Sequence, residues 1–147
     1  RRGWGVSHNL ARIERHRWEG REVPRCVHRK GATRACAGQA VLIPGSMGTE
    51  SHVLCGTERA EQTTFGSTCH GAGRMMSRSE ALKRTDAGRL IRELSDKGIA
   101  VMAESRRTLG EEAPEAYKDV SSVVDVTHRA GISTKVARLR PIAVMKG

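Results

Sequence analysis

The stretch "STCHGAGRMMSR", residues 67–78, sets Cys69, His70, Gly71, Gly73, Arg74 and Arg78 within twelve positions. A neutral imidazole is a competent nucleophile toward phosphorus, and adjacent glycines let backbone N–H groups approach a phosphate without steric cost. Arg74 and Arg78 are four apart, one turn on a helix, so both guanidiniums can point from a helix start toward one anion. The pattern describes a phosphoryl site, although residue type alone equally describes a surface histidine beside a flexible turn. A second glycine-containing stretch, "PGSMGTES" at residues 44–51, is a weak phosphate cradle, because it lacks the G-x-x-x-x-G-K-[ST] arrangement. His8 is one histidine and cannot hold a metal by itself. Lys30 and Arg34 in "HRKGATRA" read by default as a solvated basic turn.

The elements that must carry these residues can be read from pattern. "SHNLARIERHRW" has Ser7 as a candidate N-cap, with Leu10, Ile13 and Trp18 as a short apolar stripe, which predicts a helix with His8 in its first turn. After Pro24, "VHRKGATRA" reads as a strand running into a basic turn. "QAVLIPGSMGTESHVLCG" reads as strand, Gly-rich turn, strand. Ser77 and Glu80 form a capping box, opening a helix to Lys97 that Gly98 ends and Gly88 can kink. "IAVMA" is a candidate buried strand. A third helix is predicted from Pro114 to Gly131 on the spacing of Tyr117, Val120, Val123, Val124 and Ala130. "KVARLRPIAVMKG" supplies one or two closing strands. The class expected is α+β, mixed sheets with flanking helices in one domain over 1–147.

Composition narrows the partner. Lys and Arg outnumber Asp and Glu 26 to 16, giving +10 at pH 7, and such an excess favours a polyanion. With four aromatics only, Trp4, Trp18, Phe65 and Tyr117, there is no stacking platform for single strands, so phosphate contact is favoured over base stacking. Cys26, Cys36, Cys55 and Cys69 form no C-x-x-C knuckle, which argues against a structural zinc site. No apolar stretch approaches a membrane span, and a cytoplasmic protein is expected. Leu, Ile, Val and Phe total 27 of 147 residues. That supply is thin, and a larger protein is expected to complete the core.

Taken in order, "SHNLARIE", "VHRKGATRA", "PGSMGTES", "CHGAGRMMSR", "EAYKDV" and "VMKG" resemble the successive blocks of the RtcB family, the tRNA-splicing RNA ligases. The resemblance covers essentially the whole chain and is to the C-terminal part of such a ligase. It implies a GTP- and Mn²⁺-dependent enzyme joining an RNA 3′-phosphate or 2′,3′-cyclic phosphate end to a 5′-hydroxyl end through a guanylate adduct on histidine. His70 matches that histidine. The resemblance puts Pro44, Ser46, Ser51, Ala72, Gly73, Tyr117 and Lys146 around the guanine nucleotide. It puts Lys30, Arg74 and Arg78 on RNA phosphates, and His8 on manganese.

The family's remaining metal ligands, an aspartate, a cysteine and two histidines, belong to motifs N-terminal to Arg1. The missing N-terminal half is therefore an expected partner, and the isolated chain is expected to be inactive without it. Gly5 and His52 stand where the family often has an acidic residue and a tyrosine. The competing reading is a non-catalytic basic module that binds RNA or nucleotide through the same loops.

Overall fold

The computed structural model describes residues 9–146. Helices and several small sheets pack together in an α+β arrangement. Strands β1 (Asn9–Trp18) and β2 (Arg21–Lys30) form a long antiparallel hairpin in which Trp18 faces Arg21 and Asn9 faces Lys30. The expected first helix is thus a strand. Its signal was Leu10, Ile13 and Trp18, but in the hairpin Ile13 lies 72% exposed on the outer face, while the alternate residues Glu14 and His16 turn toward the body. What decides for the hairpin is the turn: Glu19 and Gly20 both have positive φ, 47° and 77°. A two-residue turn with that geometry has the twist of the strands it joins. Ser7 and His8 lie outside the described residues.

The hairpin is held to the body by a buried network. Arg29 donates to both carboxylate oxygens of Glu14, at 2.8 and 2.7 Å, and also to Ser67 Oγ and the Phe65 carbonyl. His16 meets the Phe65 ring edge-on, and Trp18 stacks on that same ring. Phe65 can sit there because it closes helix α1 (Glu58–Thr64) in the left-handed conformation. Neither α1 nor the short strands β3 (Ala32–Arg34) and β6 (Ser67–Cys69) are legible from hydrophobic period; β3 and β6 pair antiparallel, with Ala32 opposite Cys69.

Strands β4 (Ala40–Ile43) and β5 (Ser51–Gly56) flank the Gly-rich turn as predicted, and β8 (Ser133–Leu139) adds to β5 with a register shift at Val53 and Leu54. The inward faces of β4 and β5 supply Val41, Ile43 and Leu54 to one core, with Ala35, Ala72, Val120 and Val124. A second core gathers Met47, Leu90, Leu94, Ile99, Leu109, Ala113 and Val144. Residues 44–50 bridge the two, since Ile43 enters the first and Met47 the second.

The predicted helix from Ser77 to Lys97 is two helices, α2 (Arg78–Arg84) and α3 (Ala87–Asp96). The break falls at Asp86, whose carboxylate accepts from the backbone N–H groups of Gly88 and Arg89 and so starts a new helix; Gly88 is not a kink. Ser77 caps α2 by accepting from Glu80 N, and Gly98 follows α3 as expected. Strand β7 (Ala100–Ala103) pairs in parallel with β9 (Ala143–Lys146). It is not buried, because it lies in a two-stranded ribbon: Met102 is 66% exposed, and only Ile99 just before it and half-buried Val101 pack on the second core. Helix α4 (Arg106–Glu111) follows, capped by Ser105.

The helix expected from Pro114 is a single 3₁₀ turn, Pro114–Ala116, followed by extended residues and then α5 (Val120–Arg129), capped by Asp119. Tertiary hydrogen bonds override the helical period there. Tyr117 bridges Arg74, and Lys118 N donates to the Gly73 carbonyl. Gly131 ends α5 as predicted. Among the described residues, no helix is long and apolar enough to cross a membrane.

Candidate functional site

His70 follows directly on β6, in the irregular segment before α2, and is neither buried nor fully exposed. The segment that carries it is anchored on both sides. Cys69 pairs with Ala32 and packs on the first core, and Ala72 is buried in that core. Beyond it, Met75 N donates to the Ala116 carbonyl at 2.7 Å.

The two glycines beside His70 do different things. A Cβ on Gly71 would come within 3.2 Å of the Pro44 carbonyl oxygen, so its bareness lets the histidine loop lie against the Gly-rich turn. Gly73 has φ of 76° and nothing within 4 Å of where a Cβ would be, so it faces open space in a conformation that suits glycine. Gly71 thus seats the His70 loop against Pro44, the first residue of the Gly-rich turn. That turn is internally braced: Ser51 Oγ accepts from Gly45 N, and Thr49 Oγ1 accepts from Ser46 N at 2.8 Å.

Lys30 is brought to the same end of the molecule. It is exposed at the end of β2, two residues before the Ala32 that pairs with Cys69, and it faces Asn9, the first described residue. His8 itself lies outside the described residues. Among those residues, no group of three His, Cys, Asp or Glu side chains could hold a metal ion. The chain's described part therefore does not fit a manganese centre by itself.

Arg74 and Arg78 do reach one anion, but not from adjacent turns of a helix. Arg74 lies in an extended bridge with Tyr117, and only Arg78 begins α2. The anion is Glu112, which sequence reasoning missed because nothing in its local pattern distinguishes it from other charged surface residues. Arg74 Nη1 stands 3.3 Å from one Glu112 oxygen and Arg78 Nε stands 3.1 Å from the other. The Tyr117 hydroxyl donates to Glu112 as well.

The donors of Arg74 also serve the chain itself. Nε donates to the Met76 carbonyl, Nη1 to the Tyr117 oxygen at 2.9 Å and Nη2 to the Glu111 carbonyl at 2.7 Å, with the guanidinium 4.9 Å from the Tyr117 ring centre. Arg78 differs, being 68% exposed along its side chain.

Electrostatics follow from this crowding. Burial pushes the Glu112 carboxyl up, but hydrogen bonds from Tyr117 and Arg78 and the charges of Arg74 and Lys146 outweigh it, and the group is held below the usual carboxylate range. Burial pushes the Tyr117 phenol up, and Glu112 adds to that. The influence of Lys146 on Glu112 puts the end of β9 within electrostatic reach of this cluster.

The fold thus sets the His70 loop against Pro44 and brings Arg74, Arg78, Glu112 and Tyr117 together from separated stretches of the sequence, and the comparisons bear on the family to which such a chain belongs. A family model described as tRNA-splicing ligase RtcB matches residues 2–147. A tRNA-splicing ligase RtcB of Archaeoglobus fulgidus is 53% identical, over 98% of this chain and 33% of its own length. Those of Thermococcus kodakarensis and Pyrococcus abyssi are 50% and 51% identical over 98% of the chain, and 33% and 17% of their own lengths. The chain spans about a third or less of the relatives it matches. With the match running nearly from end to end of the chain, it belongs to the tRNA-splicing ligase RtcB family.

Proposed function

We propose that this chain carries the guanylate-accepting part of a cytoplasmic, GTP- and Mn²⁺-dependent RNA ligase that joins 3′-phosphate or 2′,3′-cyclic phosphate ends to 5′-hydroxyl ends. The observation that supports it is the seating of the His70 loop on the Gly-rich turn, with Gly73 facing open space beside it. In this reading a neutral ring nitrogen of His70 bonds to the α-phosphorus of GTP, and the bond to the departing pyrophosphate oxygen breaks. A 2′,3′-cyclic end is first opened by water to a 3′-phosphate, and the RNA 3′-phosphate then displaces the imidazole and takes the GMP. Finally the 5′-hydroxyl attacks that end and GMP leaves.

Ser46, Ser51 and the backbone of Pro44, Ala72 and Gly73 would line the nucleotide, Tyr117 would offer a ring to the purine, and Lys146 would donate to it. Lys30 and Arg78 would meet RNA phosphate. Manganese would require ligands outside the described residues, from His8 and from the amino-terminal portion that the longer relatives have.

The test is to join the chain to the amino-terminal portion of the Archaeoglobus fulgidus relative and incubate it with α-labelled GTP and Mn²⁺. Label retained on the protein and lost in His70→Ala, with RNA affinity changed less than about twofold, is the expected result. Absence of label on His70 in the joined protein overturns the reading. Salt-dependent RNA binding that GTP does not affect would instead favour a basic RNA-binding module.

A further inference from the structure

Two guanidiniums and a phenol converge on Glu112, a carboxylate whose side chain is only 17% exposed. Each group it holds belongs to a different part of the site. Arg74 belongs to the loop four residues after His70, Tyr117 to the segment before α5, and Arg78 to the start of α2. Removing the carboxylate would leave Arg74 beside Arg78 with no anion between them, and like charges would drive them apart. We propose that Glu112 is a positioning residue for guanine nucleotide, clasping Tyr117 and Arg74 so that the ring and the His70 loop are ordered before the nucleotide arrives.

The clasp divides the two arginines. Arg74 stacks on Tyr117 and donates to Met76, Tyr117 and Glu111, so it is a strut between loops. Arg78 uses only its Nε on Glu112 from an exposed position, so it can swing to a phosphate while Arg74 stays in place. Phosphate arriving there takes the carboxylate's place as the partner of Arg78, while Arg74 and Tyr117 stay on Glu112.

This inference rests on the nucleotide reading given above, and the experiment separates the two. Tyr117 is the only tyrosine in the chain, so its phenol ionisation can be followed directly by near-ultraviolet absorbance. In Glu112→Gln the phenol should titrate at lower pH than in the parent chain, since a neighbouring negative charge has gone. In Arg78→Ala it should titrate at higher pH, since a neighbouring cation has gone. GMP affinity is measured in the chain joined to the relative's amino-terminal portion. It should fall about tenfold in Glu112→Gln, recover in part in Glu112→Asp, and stay unchanged in Glu93→Gln, whose carboxylate pairs with Arg89 on α3.

An unmoved phenol in Glu112→Gln overturns the clasp. A shifted phenol with parental GMP affinity overturns its positioning role. Failure of the parent protein to bind GMP or GTP at all overturns the nucleotide reading, and this proposal with it.

Discussion

At the scale of single residues, the site depends on groups whose charge is held by neighbours. Glu14 is the best placed to show the size of this effect. Hydrogen bonds from Arg29 hold its carboxyl below the usual range against the opposing pull of burial, with His16 and Arg34 assisting. Glu14→Gln removes one partner of a pair that is 11% and 5% exposed and leaves the Arg29 charge under-compensated. A loss of roughly 3–5 kcal/mol is expected from denaturant unfolding. The sign with pH follows from the same depression. The folded-state pKa lies below the unfolded value near 4.3, so the contribution is complete above that pH and fades as pH drops through the folded value. Unfolding measured from pH 6 downward should show the parent losing stability below about pH 4 more steeply than the variant.

At the scale of elements, capping and close approach decide where chains bend. Asp86 separates α2 from α3 through two backbone hydrogen bonds. Asp86→Ala should cost about 0.5–2 kcal/mol, read from the shift in thermal midpoint. Gly56 ends β5 under the turn that follows β3, and a Cβ there would fall 2.2 Å from the Cys36 carbonyl oxygen and 2.4 Å from that of Ala35. Backbone cannot yield as a side chain can, so Gly56→Ala should destabilise by about 3 kcal/mol or more. A fall in denaturant midpoint no larger than that of Asp86→Ala would contradict this. The same logic explains why Tyr117 is extended: Lys118 N donates to the Gly73 carbonyl and the Ala116 carbonyl accepts from Met75 N, rather than both serving the next helical turn.

At the scale of the whole molecule, charge and exposed apolar surface set behaviour. Ile142, Met145, Ile13 and Met102 are 81%, 78%, 72% and 66% exposed, an amount of bare hydrocarbon that favours association. With a net charge of +10, RNA affinity should fall log-linearly with salt, the slope counting neutralised phosphates. Adding a relative's amino-terminal portion should raise the thermal midpoint of the chain by several degrees, in proportion to ligand-like binding of the folded form. An unchanged midpoint would mean that these side chains are not covered in the longer protein.

The sequence by itself determined the family, the order of the motif blocks, the strands around the Gly-rich turn, the cap at Ser77 and the helix stops at Gly98 and Gly131. Those features are local: a cap or a stop acts within a few residues of where it is written, and a motif keeps its spacing wherever the fold carries it. The tertiary structure alone decided that residues 9–18 are a strand, since alternation and helical period overlap over so few apolar residues, and the Glu19–Gly20 turn that brings the partner strand alongside breaks the tie. It also decided that Arg74 is tied to Met76, Tyr117 and Glu111 while Arg78 is exposed, and that Glu112 stands between them. Such roles come from which groups meet across 30 or more positions of chain, and local spacing carries no trace of that because a charged residue looks alike whether water or two guanidiniums will face it.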